Sequence, residues 1–256
     1  MLQTVYVRGK RKLGLQLNRL QRGSFNEKVC FLHLPKCGGS SIHDALQNVA
    51  SASVHLDPIA SKKAAEVSGT MLMTYREQLL HYFMALPDIQ YIGGHFRWSD
   101  AVYEEYGHQW NFITVLRHPV DKWFSQYFYN RYKESGHFKL EVDLETYLAS
   151  NAGQRLGSGM VNKLIDSAHT SDPIRQAIRN LDKFELVGVL EHIDQFYYDF
   201  HKRFGAKLYT LHERRNPASE LQREAKRDPE IRRRVEEVCQ PDLELYHHAL
   251  QKLKLA

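Results

Sequence analysis

The stretch VCFLHLPKCGGSS, residues 29–41, decides the fold class. Its first six residues form a nearly continuous apolar run, which is typical of a strand buried in a parallel sheet. Turn residues follow at 35–39, and Ser40 then opens a segment with apolar residues at helical spacing. The sequence therefore predicts a strand, a glycine-containing loop and a helix in immediate succession.

The loop of this unit combines groups that bind anions. Gly38 and Gly39 allow a tight turn that presents several N–H donors, and the positive end of the helix follows. Lys36 adds a full charge, while Ser40 and Ser41 can donate hydroxyl hydrogen bonds. We expect a P-loop-like phosphate cradle. Because Lys36 precedes both glycines, whereas a Walker A lysine follows its glycine, the pattern disfavours an NTPase or kinase.

Strands and helices alternate along the rest of the chain. Apolar runs predict further strands at 91–96, 111–116 and 184–190, with helices between and after them. Residues 51–70, which are rich in Ser and Ala, predict a loop-rich connection. The alternation predicts an α/β fold in which a parallel β-sheet is flanked by helices, and we expect one domain over residues 1–256.

The composition excludes several classes of protein. The chain has 256 residues, of which 43% are hydrophobic, and only 15 Gly and 8 Pro, so it is neither disordered nor fibrous. Its three cysteines show no metal-ligand spacing, which predicts a reducing compartment and no structural zinc. No secretory signal and no apolar run near the ~20 residues of a membrane span is present, so we expect a cytoplasmic protein.

The net charge of +5 is concentrated in two blocks. Residues 1–28 hold seven basic and one acidic side chain, and residues 201–234 hold eleven and five, so the remainder of the chain sums to −7. These blocks could create a local field for an anionic partner, or they could be ordinary solvated surfaces.

A second motif lies far downstream of the first. LRHPV ends a predicted strand at residues 116–120, and Ser125 lies eight residues after its arginine. Together with HLPKCGGSS at 33–41, this pattern closely resembles the sulfotransferases that use 3′-phosphoadenosine 5′-phosphosulfate (PAPS). The nearest branch is that of the carbohydrate sulfotransferases of heparan and dermatan 2-O type and their bacterial relatives. The resemblance covers a core of about residues 28–205 and leaves a basic, mainly helical C-terminal region, 206–256.

The resemblance implies a donor site for PAPS, with 3′-phosphoadenosine 5′-phosphate (PAP) as the product and no metal. The first motif would bind the 5′-phosphosulfate, and the arginine and serine of the second would bind the 3′-phosphate. Relatives place a further basic loop where this chain has an arginine pair. The residues so implied are Lys36, Cys37, Gly38, Gly39, Ser40, Ser41, Arg117, Ser125, Arg214 and Arg215.

Sulfuryl transfer to a hydroxyl is assisted by a general base, and histidine suits this task near neutral pH. The resemblance places the base at His95, although a structural histidine in a turn is the alternative. The related branch often carries a second histidine two residues earlier, where this chain has Gly93. Lys36 would stabilise charge on the leaving phosphate and Ser41 would bind the same phosphate, so the catalytic residues implied are His95, Lys36 and Ser41.

Several assignments stay open at this stage. Cys37, where the family often has threonine, is either a reactive thiol or a small packed side chain. His33 and His118 flank the two motifs with no assigned role, and Glu191 either orients an active-site group or serves as a helix N-terminal carboxylate. Ser125, taken by itself, is better explained as a capped or solvent-facing helix serine.

The acceptor implied is a hydroxyl-bearing glycan, which can itself be anionic. Two other functions compete with sulfuryl transfer: a non-catalytic polyanion-binding module built from the basic blocks, and a small-molecule kinase. No motif supports nucleic-acid recognition. Peripheral membrane contact, oligomeric state and the identity of the acceptor stay open.

Overall fold

A computed structural model of the chain describes residues 24–134, 136, 139–166, 170–209 and 219–255. These residues form five strands: β1 Lys28–Leu32, β2 Ser53–Leu56, β3 Tyr91–Gly94, β4 Trp110–Leu116 and β5 Leu186–Val189. They also form thirteen α-helices and a 3₁₀ turn, Leu190–His192. The helices are α1 Gly39–Val49, α2 Pro58–Ser68, α3 Leu72–Ala85, α4 Asp100–Tyr106, α5 Pro119–Tyr132, α6 Leu144–Ala149, α7 Asn151–Leu156, α8 Val161–Leu164, α9 Pro173–Asp182, α10 Ile193–Phe204, α11 Ser219–Arg227, α12 Pro229–Val238 and α13 Gln240–Lys252.

All five strands pair in parallel, in the order β2-β3-β1-β4-β5. The chain leaves the central strand β1 toward β2, but leaves its neighbour β4 in the opposite direction, toward β5. Ligands of open α/β sheets bind at such a switch point, outside the carboxyl ends of the two strands. The α/β prediction, a parallel sheet flanked by helices in a single domain, is confirmed.

Helices cover both faces of the sheet. Val29 and Phe31 of β1 join a hydrophobic cluster with α1 and α10, whereas Cys30 and Leu32 join a second cluster with α3, α9 and α13. Successive side chains of a strand point to opposite faces, so a strand buried on both sides carries an uninterrupted apolar run. This explains why β1 and β4 could be recognised in the sequence.

A buried ion pair joins the C-terminal helix to α5. Lys122 of α5 lies 3.3 Å from Asp242 of α13, and both side chains are almost fully enclosed. Asp242 also accepts hydrogen bonds from the backbone N–H groups of Met160 and Val161 at the start of α8. One carboxylate thus fixes three helices relative to one another.

Residues 51–70 do not form the loop-rich connection predicted, since they contain β2 and α2. The residues taken as breakers are the start and stop signals of that helix. Asp57 accepts hydrogen bonds from the N–H groups of Ile59 and Ala60 and is followed by Pro58 at the first helical position. Gly69 ends α2 in the left-handed conformation, at φ 65°.

Candidate active site

The loop between β1 and α1 exposes the beginning of the helix. Gly38 is the N-cap residue and adopts a left-handed conformation, φ 73°, which favours glycine. As a glycine, this N-cap residue makes no side-chain capping hydrogen bond. The N–H groups at the start of an α-helix point out of the helix, together with the positive end of the helix dipole, so the start of α1 suits an anion.

Gly39 is required for a different reason, the close approach of His33. A Cβ atom on Gly39 would overlap the imidazole ring of His33, which is buried directly beneath the start of α1. The ring of His33 also lies 4.1 Å from that of His95, measured between centroids. His33 therefore packs against both Gly39 of the phosphate loop and His95, the candidate base.

Lys36 connects the two sequence motifs. Its backbone has a φ of 64°, and its carbonyl accepts a hydrogen bond of 3.1 Å from Nη1 of Arg117. Its ammonium group lies 3.8 Å from the centroid of the Tyr129 ring. Burial, together with the positive charges of Arg117 and Lys133, lowers the pKa of Lys36 to about 8.

The turn that carries Arg117 is held by a carboxylate in the 3₁₀ turn after β5. Oε1 of Glu191 accepts a hydrogen bond from the backbone N–H of His118, and Oε2 accepts one from the hydroxyl of Tyr246 in α13. Glu191, which follows β5, therefore orients the segment that holds Arg117. Ser125 lies two turns into α5 and is buried, so its interpretation as a solvent-facing serine is wrong.

His95 follows β3 and is held in one tautomer. Its Nδ1 lies 2.7 Å from the carbonyl oxygen of His33, and because a carbonyl can only accept, Nδ1 carries the proton and Nε2 keeps its lone pair. Arg76 donates a hydrogen bond to the carbonyl of His95. Burial lowers the pKa of His95 to about 4, against the opposing effect of the His33 hydrogen bond. The imidazole is therefore neutral at pH 7, the form that can accept a proton.

The space at Gly93 is filled by a histidine that sequence reasoning missed. A Cβ on Gly93 would overlap the hydroxyl of Tyr91 and lie 2.6 Å from Nδ1 of His43. Those two groups are themselves 2.6 Å apart, while Nε2 of His43 is buried without a hydrogen-bond partner. The sequence held a signal, since His43 stands at i+4 from Gly39 on the apolar face of α1.

Three cations near His95 were also missed. Arg76 and Lys163 both lower the pKa of His95 through their charge. Burial and the charges of Arg76 and Arg97 lower the pKa of Lys163 to about 8, and Nε of Arg97 is buried without a partner. Lys163 belongs to the four-residue helix α8, whose position depends on tertiary packing. No local pattern could have placed it beside His95.

Cys37 is not a reactive thiol. The side chain is fully buried, its sulfur lies 3.6 Å from the carbonyl oxygen of Pro35, and burial raises the pKa of the thiol to about 12. A thiolate is the nucleophilic form of cysteine, so a thiol with this pKa is inert near neutral pH. The alternative of a small packed side chain is the correct one.

Comparison with solved structures finds distant likenesses. No protein-family model and no curated protein sequence matches the chain. Mouse sulfotransferase SULT7A1, solved in complex with PAP, aligns with a TM-score of 0.42 and 12% identity over 75% of this chain and 62% of the mouse chain. A sulfotransferase from Alicyclobacillus acidocaldarius aligns with a TM-score of 0.45 and 16% identity, over 87% and 99% respectively. Likenesses at this level assign neither a family nor an activity.

Two predicted donor-binding residues lie outside the described part of the chain. Arg214 and Arg215 fall in the segment 210–218, which is not described. Within the described part of the chain, no group of three or more His, Cys, Asp or Glu side chains could hold a metal, and no helix is long and apolar enough to cross a membrane. Two shallow grooves lie away from the phosphate loop, one between α5, α6 and α11 and one at the amino ends of β1 and β4.

Proposed function

We propose that the chain transfers a sulfuryl group from PAPS to a hydroxyl of a carbohydrate acceptor. The observation that best supports this is the hydrogen bond from Arg117 to the carbonyl of Lys36, because it joins two motifs 81 residues apart. Both residues follow strands whose carboxyl ends meet at the switch point of the sheet. A single nucleotide can thus place one of its phosphate groups at each of the two motifs.

The residues present fit a doubly phosphorylated nucleotide. The start of α1, with glycine as its N-cap residue, and the ammonium of Lys36 suit the 5′-phosphosulfate. The planar guanidinium of Arg117, with Ser125 on the following helix, suits the 3′-phosphate. Arg214 and Arg215 lie outside the described residues, and only the sequence resemblance supports them as further donor-binding residues. Bound PAPS supplies a sulfuryl group attached through oxygen to a phosphate, and that phosphate is the leaving group.

Three residues carry the proposed chemistry. Nε2 of His95 takes the proton of the acceptor hydroxyl as its oxygen bonds to sulfur, and the bond from sulfur to the phosphate oxygen breaks, releasing PAP. Lys36 offsets the negative charge that develops on the departing oxygen, and Ser41 donates a hydrogen bond to the same phosphate. In-line displacement places the base and Lys36 on opposite sides of the sulfur, which is consistent with His95 following β3 and Lys36 lying against α5.

The wider setting of this activity is also a proposal. Residues 28–205 would form the donor-binding core, and the basic block 201–234 would steer an anionic acceptor. Cys30, Cys37 and Cys239 are all free and buried, which supports a reducing and therefore cytoplasmic location.

Thermal unfolding with PAP tests the donor site. A ligand at 100 times its Kd stabilises a protein by about 2.7 kcal/mol, so PAP is expected to raise Tm by several degrees. Lys36→Ala and Arg117→Ala should each reduce this shift, whereas Lys63→Ala, an exposed residue of α2, should leave it intact. No shift at millimolar PAP would contradict the proposal.

Turnover tests the rest of the reaction. Radiolabelled PAPS is incubated with neutral and uronic-acid-containing oligosaccharides, and labelled product is expected from the wild type. His95→Ala should lose about 10²- to 10⁴-fold in kcat, the usual contribution of a general base. Turnover that instead requires ATP and Mg²⁺ would support the kinase alternative.

A further inference from the structure

Tyr129 makes a contact that the proposed donor site leaves unexplained. Its ring lies on the ammonium of Lys36, with 3.8 Å between Nζ and the ring centroid. Tyr129 stands one helical turn after Ser125 in α5, so the two side chains project from the same face of the helix. Tyr129 is 40% exposed, so its ring contacts both Lys36 and solvent next to the proposed donor site.

Two cations near Lys36 repel its ammonium group, and the ring of Tyr129 attracts it. Arg117 reaches Lys36 from the end of β4, and Lys133 reaches it from the end of α5, where its own Nζ lies 5.7 Å from the Tyr129 ring. Both neighbours are cations, and they and burial lower the pKa of Lys36. An aromatic face attracts an ammonium group electrostatically, most strongly where water is partly excluded. Tyr129 thus supplies an attraction that opposes the two repulsions.

We propose that Tyr129 is a positioning residue that holds the ammonium of Lys36 against α5 until an anion enters the phosphate loop. This inference rests on the proposed donor site. A phosphate carries full negative charge and accepts charge-assisted hydrogen bonds, so it attracts Lys36 more strongly than a ring does. Lys36 then leaves the ring for the phosphate. Tyr129 acts on the lysine and does not itself touch the reacting atoms.

NMR of reductively ¹³C-methylated protein tests the contact without any turnover. The Lys36 resonance is assigned by its loss in Lys36→Arg. A methylated amine above a ring face resonates upfield, so the Lys36 signal should lie upfield of the common position of exposed lysines in the wild type and in Tyr129→Phe. In Tyr129→Leu it should return to the common position, and the midpoint of its titration, about 8 in the wild type, should fall by up to about one pH unit.

Tyr132 provides the matched control. It is a partly exposed tyrosine of the same helix, and its ring stacks on Phe128. Tyr132→Leu should leave the Lys36 resonance upfield, and Tyr129→Met serves as a second variant if Tyr129→Leu fails to fold. A Lys36 resonance at the common position in the free wild-type protein, or a Tyr129→Phe spectrum equal to that of Tyr129→Leu, would overturn the proposal.

Addition of PAP separates this inference from the proposed function. Saturating PAP should abolish the upfield displacement of Lys36 in the wild type. If PAP binds, as judged by the Tm shift, and the resonance stays upfield, Tyr129 does not release Lys36 and the holding role is wrong. If PAP does not bind at all, the donor site fails, while the free-protein spectra of the Tyr129 variants still decide whether the ring holds the lysine.

Discussion

Acidification is expected to destabilise the protein through two buried histidines. Burial lowers the pKa of His43 to about 3 and that of His95 to about 4, from an ordinary value of 6.5. Each imidazole therefore stays neutral in the folded state at pH values where it is already protonated in the unfolded chain. Because the unfolded state binds more protons, stability falls as pH drops from about 7 toward the folded-state pKa values.

The size of this effect follows from the two pKa values. Between pH 7 and pH 5 the unfolded imidazole becomes almost fully protonated while the folded one remains neutral, which costs about 1.9 kcal/mol per histidine. The two together reach about 4 kcal/mol, a large part of the ~5–15 kcal/mol by which domains are usually stable. Acid lability near pH 5 should therefore be easy to detect.

Urea unfolding at a series of pH values between 7 and 5 measures this loss. His43→Gln cannot titrate at this position, so between pH 7 and pH 5 its free energy of unfolding should fall by about 1.9 kcal/mol less than that of the wild type. His201→Gln, a substitution at an exposed position of α10, is the control and should retain the wild-type slope. A full wild-type slope in His43→Gln, or an equal reduction in His201→Gln, would refute the assignment.

Two further predictions concern packing around the site. Gly39→Ala drives a methyl group into the ring of His33 and should cost about 1–3 kcal/mol. His33→Ala in the same chain should recover part of that cost, and strictly additive values in a double-mutant cycle would rule out the overlap. Asp242→Ala leaves Lys122 buried without its carboxylate and should cost about 3–5 kcal/mol. Adding Lys122→Met should restore stability in urea unfolding, and a double variant no more stable than Asp242→Ala would disprove the charge argument.

The sheet could be predicted from the sequence because a strand buried on both faces carries an uninterrupted apolar run, which can be recognised without knowledge of distant contacts. The apolar runs of β1 and β4 are of this kind. β2 has only four residues, one of them exposed, so it lacks such a run. The helix after it was missed because Asp, Pro and Gly both break structure and cap helices, and their order along the chain decides between the two.

The site was predictable to the extent that it depends on strand ends. Once β1 and β4 are neighbours, Lys36 and Arg117 must lie close together, and Tyr129 could have been found from its helical spacing to Ser125. The surroundings of His95 were not predictable. Lys163 reaches it from a helix of four residues, and only the packing of the whole chain sets that approach.

The anion binding that we propose depends on the placement of a few cations and not on the two basic blocks. Lys36 and Arg117 belong to the part of the sequence that sums to −7. Lys36 is partly removed from water, where its charge is less screened and acts more strongly on a nearby anion. In the described part of the block 201–234, by contrast, Arg233 pairs with two carboxylates of its own helix and Arg234 with Glu145. Much of that charge is already balanced at the surface, which favours the phosphate loop over a polyanion-binding module.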